Sequence, residues 1–171
     1  KVLLLECMNH RDWMLPGGFI LKTESTDAAA ERVLYDRTGL KNVYLQQFHV
    51  FGDPGRSRKN LMENAMKSLE LPFETDNWFR QRFLTIGYYA LVEFEKVVPL
   101  PDSISASCAW HNIDKMPHLI FDHSDIILNA LTSMRHHLNY QPIGYNLLPK
   151  EFTMKNLQSI FDKESGVQIL H

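Results

Sequence analysis

The sequence predicts an α+β fold in which helices pack on a mixed β-sheet. Three observations carry this expectation. Several segments alternate or run apolar like strands, two longer segments repeat apolar residues at helical spacing, and the two kinds do not follow a strict strand–helix–strand order. The chain has 171 residues, enough for one domain and a short attachment. It is 44% hydrophobic and 11% aromatic, so it can bury a core. The net charge of -2 does not announce nucleic acid, and DNA binding would need a local basic patch. No apolar run approaches the length of a membrane span, so no membrane partner is expected. Cys7 and Cys108 lie far apart and form no metal pattern, which suits free thiols in a cytoplasmic protein. Lys1 opens inside a strand pattern, so residues are expected before it.

Val2 to Glu6 reads as a buried strand. A polar turn leads to Trp13-Met-Leu-Pro-Gly-Gly-Phe19. Asp27 to Thr38 is a helix, with Asp27 as its cap, three alanines inside and Gly39 as its stop. Asn42 to Phe51 alternates, which puts Val43, Leu45, Gln47, His49 and Phe51 on one face. Gly52 to Gly55 is a turn. Arg56 to Arg80 is a polar insertion in which Leu61 to Leu71 could form a short helix. Arg82 to Glu95 is a strong strand, broken by Pro99-Leu-Pro101. Ser107 to Ile113, with Trp110, is another. Ser124 to Leu138 is a helix capped by Ser124 or Asp125, with Ile127, Leu128 and Leu131 at core spacing. Tyr140 to Pro149 reads as a linker, and Thr153 to Asp162 as a last short helix capped by Thr153.

One motif has chemical content. Gly18, five residues, Glu24, seven residues, then Arg32-Val-Leu-Tyr-Asp-Arg-Thr-Gly39-Leu40 resembles the Nudix box. Gly18, Glu24, Arg32, Leu34, Gly39 and Leu40 match its frame, and Leu15-Pro-Gly-Gly18 matches its usual entry. The resemblance implies a Nudix-type α/β/α sandwich. The family's metal-binding glutamates map to Val33, Asp36 and Arg37, which share one helix face. Val33 offers no oxygen, and Arg37 turns attraction for a cation into repulsion. That exchange is worth roughly 4 kcal/mol per unit charge at 4 Å and an effective dielectric of 20. Magnesium demands several oxygen ligands, so neither a metal site nor catalytic residues are expected. No cofactor is expected.

The C-terminal stretches Trp110 to His123 and Pro142 to Ile160 are similar to those of Nudix-related transcription regulators. That resemblance implies an effector-binding domain over residues 1–140. The linker and first part of a winged-helix DNA-binding domain would follow over 141–171 and continue past His171. Leu157, Ile160 and Phe161 share the face such a helix would bury, and Lys150, Thr153 and Lys155 are its DNA-binding candidates. Gly166 to His171 could follow a stretch of chain missing from this sequence.

Regulators of this family sense small molecules, so the implied partners are DNA and either ADP-ribose or an arabinose-like sugar. A homodimer is implied as well, since a palindromic operator mirrors a two-fold protein. Candidate effector-binding residues are Phe19, Arg32, Asp36 and Tyr88. Each has a plainer reading: Phe19 and Tyr88 as core, Arg32 as partner of Glu24, Asp36 as surface. Arg56 and Arg58 could meet a diphosphate, but a solvated role is favoured. Asp122 and His123 are expected to cap the following helix. His136 and His137 are adjacent and do not read as a metal pair. The 56–80 insertion could act as a lid or dimer contact, with Trp78, Phe79 and Phe83 as its apolar surface. The alternative function is a Nudix hydrolase acting on a nucleoside diphosphate compound, resting on Glu24, Arg32 and Asp36.

Overall fold

The structure is a computed structural model and describes residues 1–8, 12–57, 83–92, 97–101, 105–137 and 166–170. Six strands make one mixed sheet: β1 (Val2–Cys7), β2 (Trp13–Met14), β3 (Gln46–Phe51), β4 (Thr85–Val92), β5 (Ser105–His111) and β6 (Gly166–Leu170). The order is β2-β1-β6-β4-β3, and β5 also pairs with β1. All pairings are antiparallel except β1 with β6. Helices α1 (Thr26–Thr38) and α2 (His123–His137) cover the sheet.

The strands assign the helices to opposite faces, because successive side chains of a strand point opposite ways. Tyr88 and Leu170 pack with Ala30, Val33 and Leu34 of α1. Their neighbours Tyr89 and Ile169 pack with Ile126, Ile127 and Ala130 of α2. The result is the expected α/β/α sandwich. Its β1 is apolar on both faces because both are covered, and Val2, Leu3, Leu4 and Leu5 are fully buried.

Helix α1 follows from its caps. The Ser25 side chain accepts from the Ala28 N–H, and Gly39 closes the end at φ 70°. The cap is therefore Ser25, one step before the helix, and not Asp27. Asp27 lies in the first turn, where the positive helix end favours a carboxylate, and accepts from the Tyr88 hydroxyl at 2.6 Å.

Strand β3 departs from the expected alternation. It starts at Gln46, after Asn42 in a left-handed conformation (φ 58°). A register shift against β4 falls between Gln47 and His49. The shift sends Phe48 and Phe51 to the α2 side, while Val43 and Leu45 stay on the α1 side. Gln47 and His49 are exposed. Gly87 makes the crossing possible, since a Cβ there would stand 2.6 Å from the Phe48 ring.

Helix α2 begins at His123, so Ser124 and Asp125 lie inside its first turn and do not cap it. Ile126, Ile127 and Ala130 form its buried stripe, and Leu131 packs beside it. Leu128, expected in the core, is 58% exposed.

Gly166–Leu170 is a surprise of topology. These residues were expected beyond the first domain, yet they pair with both β1 and β4 inside its sheet. Ile169 and Leu170 are buried there, which anchors the segment in this core. The expected helices at 61–71 and 153–162 and the linker at 140–149 lie outside the described residues.

Candidate functional site

The box folds around one bracket. Arg32, in α1, donates from Nη2 to Glu24 Oε1 at 2.6 Å and from Nε to Oε2 at 3.1 Å. The same Nη2 reaches the Phe19 carbonyl at 2.9 Å, and Glu24 accepts from the Leu21 N–H at 2.9 Å. Arg32 thus ties the loop after Gly18 to the helix. The charge-assisted bonds hold the Glu24 carboxyl below the usual glutamate range, with Arg32 the largest cause and the Leu21 N–H the next.

The three positions of α1 that map to the box's metal-binding glutamates do not converge on a site. Val33 is buried and packs on Gly18, where a Cβ would come within 2.7 Å of Val33 Cγ2. Asp36 is on the surface with Arg32 Nη1 3.9 Å from its carboxylate. Arg37 sits in the last turn of α1, where a cation suits the negative helix end. These residues do not fit the magnesium site of the Nudix box. Among the described residues, no three His, Cys, Asp or Glu side chains converge where a metal could sit.

Beside the box lies a cavity of about 280 Å³. Its walls come from the loop Gly17–Ile20, the buried side of α1 including Val33, the start of β4, and the turn Ile120–His123 before α2. Phe19 and Tyr88, two of the four expected effector contacts, line it; Arg32 and Asp36 stand outside its lining. Phe19 is 55% exposed at the mouth, so it is not a core residue. Burial and the bond to Asp27 raise the Tyr88 hydroxyl above the usual tyrosine range, burial contributing most.

The cavity brings in residues that were expected elsewhere. Arg56 is not solvated: its side chain is 14% exposed and grips Asp122 through both oxygens. It also donates to the Phe51 carbonyl at 2.6 Å and Thr85 Oγ1 at 3.1 Å. Asp122 therefore spends its carboxylate on Arg56, and not on capping α2. His123, 2% exposed, accepts the Leu15 N–H on Nδ1 at 3.0 Å, which leaves its ring proton on Nε2. His123 thereby joins α2 to the strand that enters the box. Sequence spacing hides these pairs, because Arg56 and Asp122 stand 66 residues apart and His123 and Leu15 108. The usable signal was Phe121-Asp-His123, three functional side-chain types at a helix entry.

Other expectations resolve quietly. Cys7 is buried and Cys108 half-buried, and neither is bound in a disulfide. His137 Nδ1 stands 2.8 Å from the Tyr89 hydroxyl. Phe83 lines the cavity. Arg58, Trp78, Phe79, Lys150, Thr153 and Lys155 lie outside the described residues. Among the described residues, no helix is long and apolar enough to cross a membrane.

Comparison with known proteins fits this geometry. No family model matches the chain. It is 25% identical over 169 residues to the ADPR-responsive transcriptional repressor NtrR of Acinetobacter baylyi, covering 95% of this chain and 59% of the repressor. The chain thus spans about three fifths of the length of that curated relative. A MutT/nudix family protein from Enterococcus faecalis superposes with a TM-score of 0.65 at 22% identity, covering 94% of this chain and 65% of the other. The Nudix domain of Shewanella oneidensis NrtR, solved with ADP ribose, superposes with a TM-score of 0.53 at 25% identity, covering 76% and 75%. The box frame, the two-faced sandwich and these likenesses together show the Nudix fold and a similarity to an ADPR-responsive transcriptional repressor.

Proposed function

We propose that this chain is the effector-binding part of a DNA-binding transcription regulator, in which a Nudix-type cleft senses a ligand without cleaving it. The observation that carries the reading is Val33. An apolar, buried side chain occupies the place of a metal-binding glutamate, while the frame of the box is kept. The cavity beside it is near the lower end of the ~300–1,000 Å³ usual for small-molecule sites and is mostly apolar with a few convergent polar groups. The effector is of the ADP-ribose type or a small sugar. ADP-ribose is supported by a relative that responds to it and a neighbour solved with it. Phe19 and Tyr88 meet the ligand in the cavity, and Arg32 and Asp36 shape the helix beside it. Lys150, Thr153 and Lys155, which precede the return of the chain to the sheet at Gly166, are the DNA-binding candidates. The regulator works as a cytoplasmic homodimer.

The test is binding of the full-length protein to its own upstream DNA, measured by fluorescence anisotropy with and without ADP-ribose and L-arabinose. One of the two is expected to change DNA affinity at least fivefold. No DNA binding under any condition ends this reading. A hydrolase reading keeps one specific support, the intact Glu24–Arg32 bracket. Magnesium-dependent turnover of ADP-ribose, abolished by Asp36→Ala, would establish it instead.

A further inference from the structure

The geometry points to the corner formed by Arg56, Phe121, Asp122 and His123 as a subsite for a sugar ring, recognised through adjacent hydroxyls. This rests on the effector-binding reading and names what the cleft holds.

The backbone supplies the first observation. Phe121 has a φ of 52°, a conformation that bulky residues adopt rarely and at a cost. It follows buried Ile120 and precedes Asp122 and His123, and all four line the cavity. The turn thus holds an aromatic ring, a carboxylate and an imidazole around one space. The Phe121 and His123 rings stand 5.8 Å apart.

The second observation is charge. Arg56 and Asp122 are the only charged side chains among the described residues of the lining, and they pair with each other. His123 accepts on Nδ1 and is neutral in that arrangement. A phosphate brought to Arg56 would face the Asp122 carboxylate at the same place. A neutral hydroxyl meets no such opposition. Each Asp122 oxygen takes one Arg56 hydrogen, whereas a carboxylate offers about four acceptor sites. Two adjacent hydroxyls match that spare capacity. Phe19, Phe83 and Phe121 give the C–H face of a sugar ring an apolar wall.

This chemistry has two sources, a free pentose or the terminal ribose of a nucleotide sugar. Titration calorimetry on the full chain with L-arabinose, D-ribose, ADP-ribose and inorganic pyrophosphate separates them. At least one sugar-bearing probe is expected to bind and pyrophosphate to stay silent. Asp122→Asn is expected to weaken the sugar-bearing probe at least tenfold, while Asp125→Asn, exposed on α2, changes it less than twofold. Pyrophosphate binding that strengthens in Asp122→Asn would make the corner an anion site and overturn the inference. So would sugar binding unchanged in Asp122→Asn, or no binding by any sugar-bearing probe. If Asp122→Asn loses its fold by circular dichroism, Phe121→Leu replaces it. A loss of at least threefold is then expected, and an unchanged affinity overturns the inference. A protein whose DNA affinity still responds to ADP-ribose in Asp122→Asn keeps the regulator reading and loses only this subsite.

Discussion

Two arginine–carboxylate pairs frame the site, and they differ in almost everything but chemistry. Arg32–Glu24 closes a loop within the box, eight residues apart, with Arg32 35% and Glu24 14% exposed. Arg56–Asp122 joins the end of β3 to the start of α2, and both side chains are less than one fifth exposed. The first pair shapes a backbone, and when Arg32 is removed Glu24 keeps the Leu21 N–H. In the second both side chains are mostly buried, and cutting it strands a charge beside the cavity. Local pairs of this kind define a motif, and distant ones define a binding site.

The largest expected effect therefore falls on the distant pair. Arg56→Ala should cost about 3 kcal/mol in denaturant unfolding, because Asp122 loses a buried partner. Arg32→Ala should cost distinctly less, because Arg32 reaches solvent and Glu24 keeps the Leu21 N–H. Equal losses would erase the distinction between framing and lining the cleft. Gly18→Ala comes next, at about 1–2 kcal/mol, since the added Cβ meets Val33 Cγ2 at 2.7 Å and the helix must shift. A neutral result there would mean that α1 does not press on the Gly18 loop.

The smallest effect is one of pH. The Glu24 carboxyl lies below the usual glutamate range in the fold, so unfolding raises its affinity for protons. Its stabilisation is complete above the usual glutamate range and is lost as pH falls through the lowered value. Glu24→Gln should flatten the acid limb of a stability–pH curve below that range and leave its slope near neutrality unchanged. An acid limb identical to that of the parent chain would remove Glu24 from the bracket.

What the sequence disclosed follows the same divide. The helix stop at Gly39, the buried β1 and the intact box frame are local, and each was legible from neighbours in the chain. The face of β3 was not, because one register shift reverses every side chain after it. Nor was the capping of α1, where Ser25 and Asp27 are both good cap residues and only geometry chooses. The cavity was half legible. Phe19 and Tyr88 carry signals of their own, but Arg56 in a polar stretch looks like any solvated arginine until Asp122 arrives from 66 residues away.

The sheet's topology has a consequence in time. Val2 pairs with His111 on one side and with Val167 on the other. Apart from the short pairing of Leu5 and Glu6 with β2, β1 is thus completed only by strands that lie far later in the chain. Domains dominated by such distant pairings fold in milliseconds to seconds, not microseconds. Until β5 and β6 arrive, Val2-Leu-Leu4 is an apolar edge without its partners, which is the kind of surface that chaperones exist to cover.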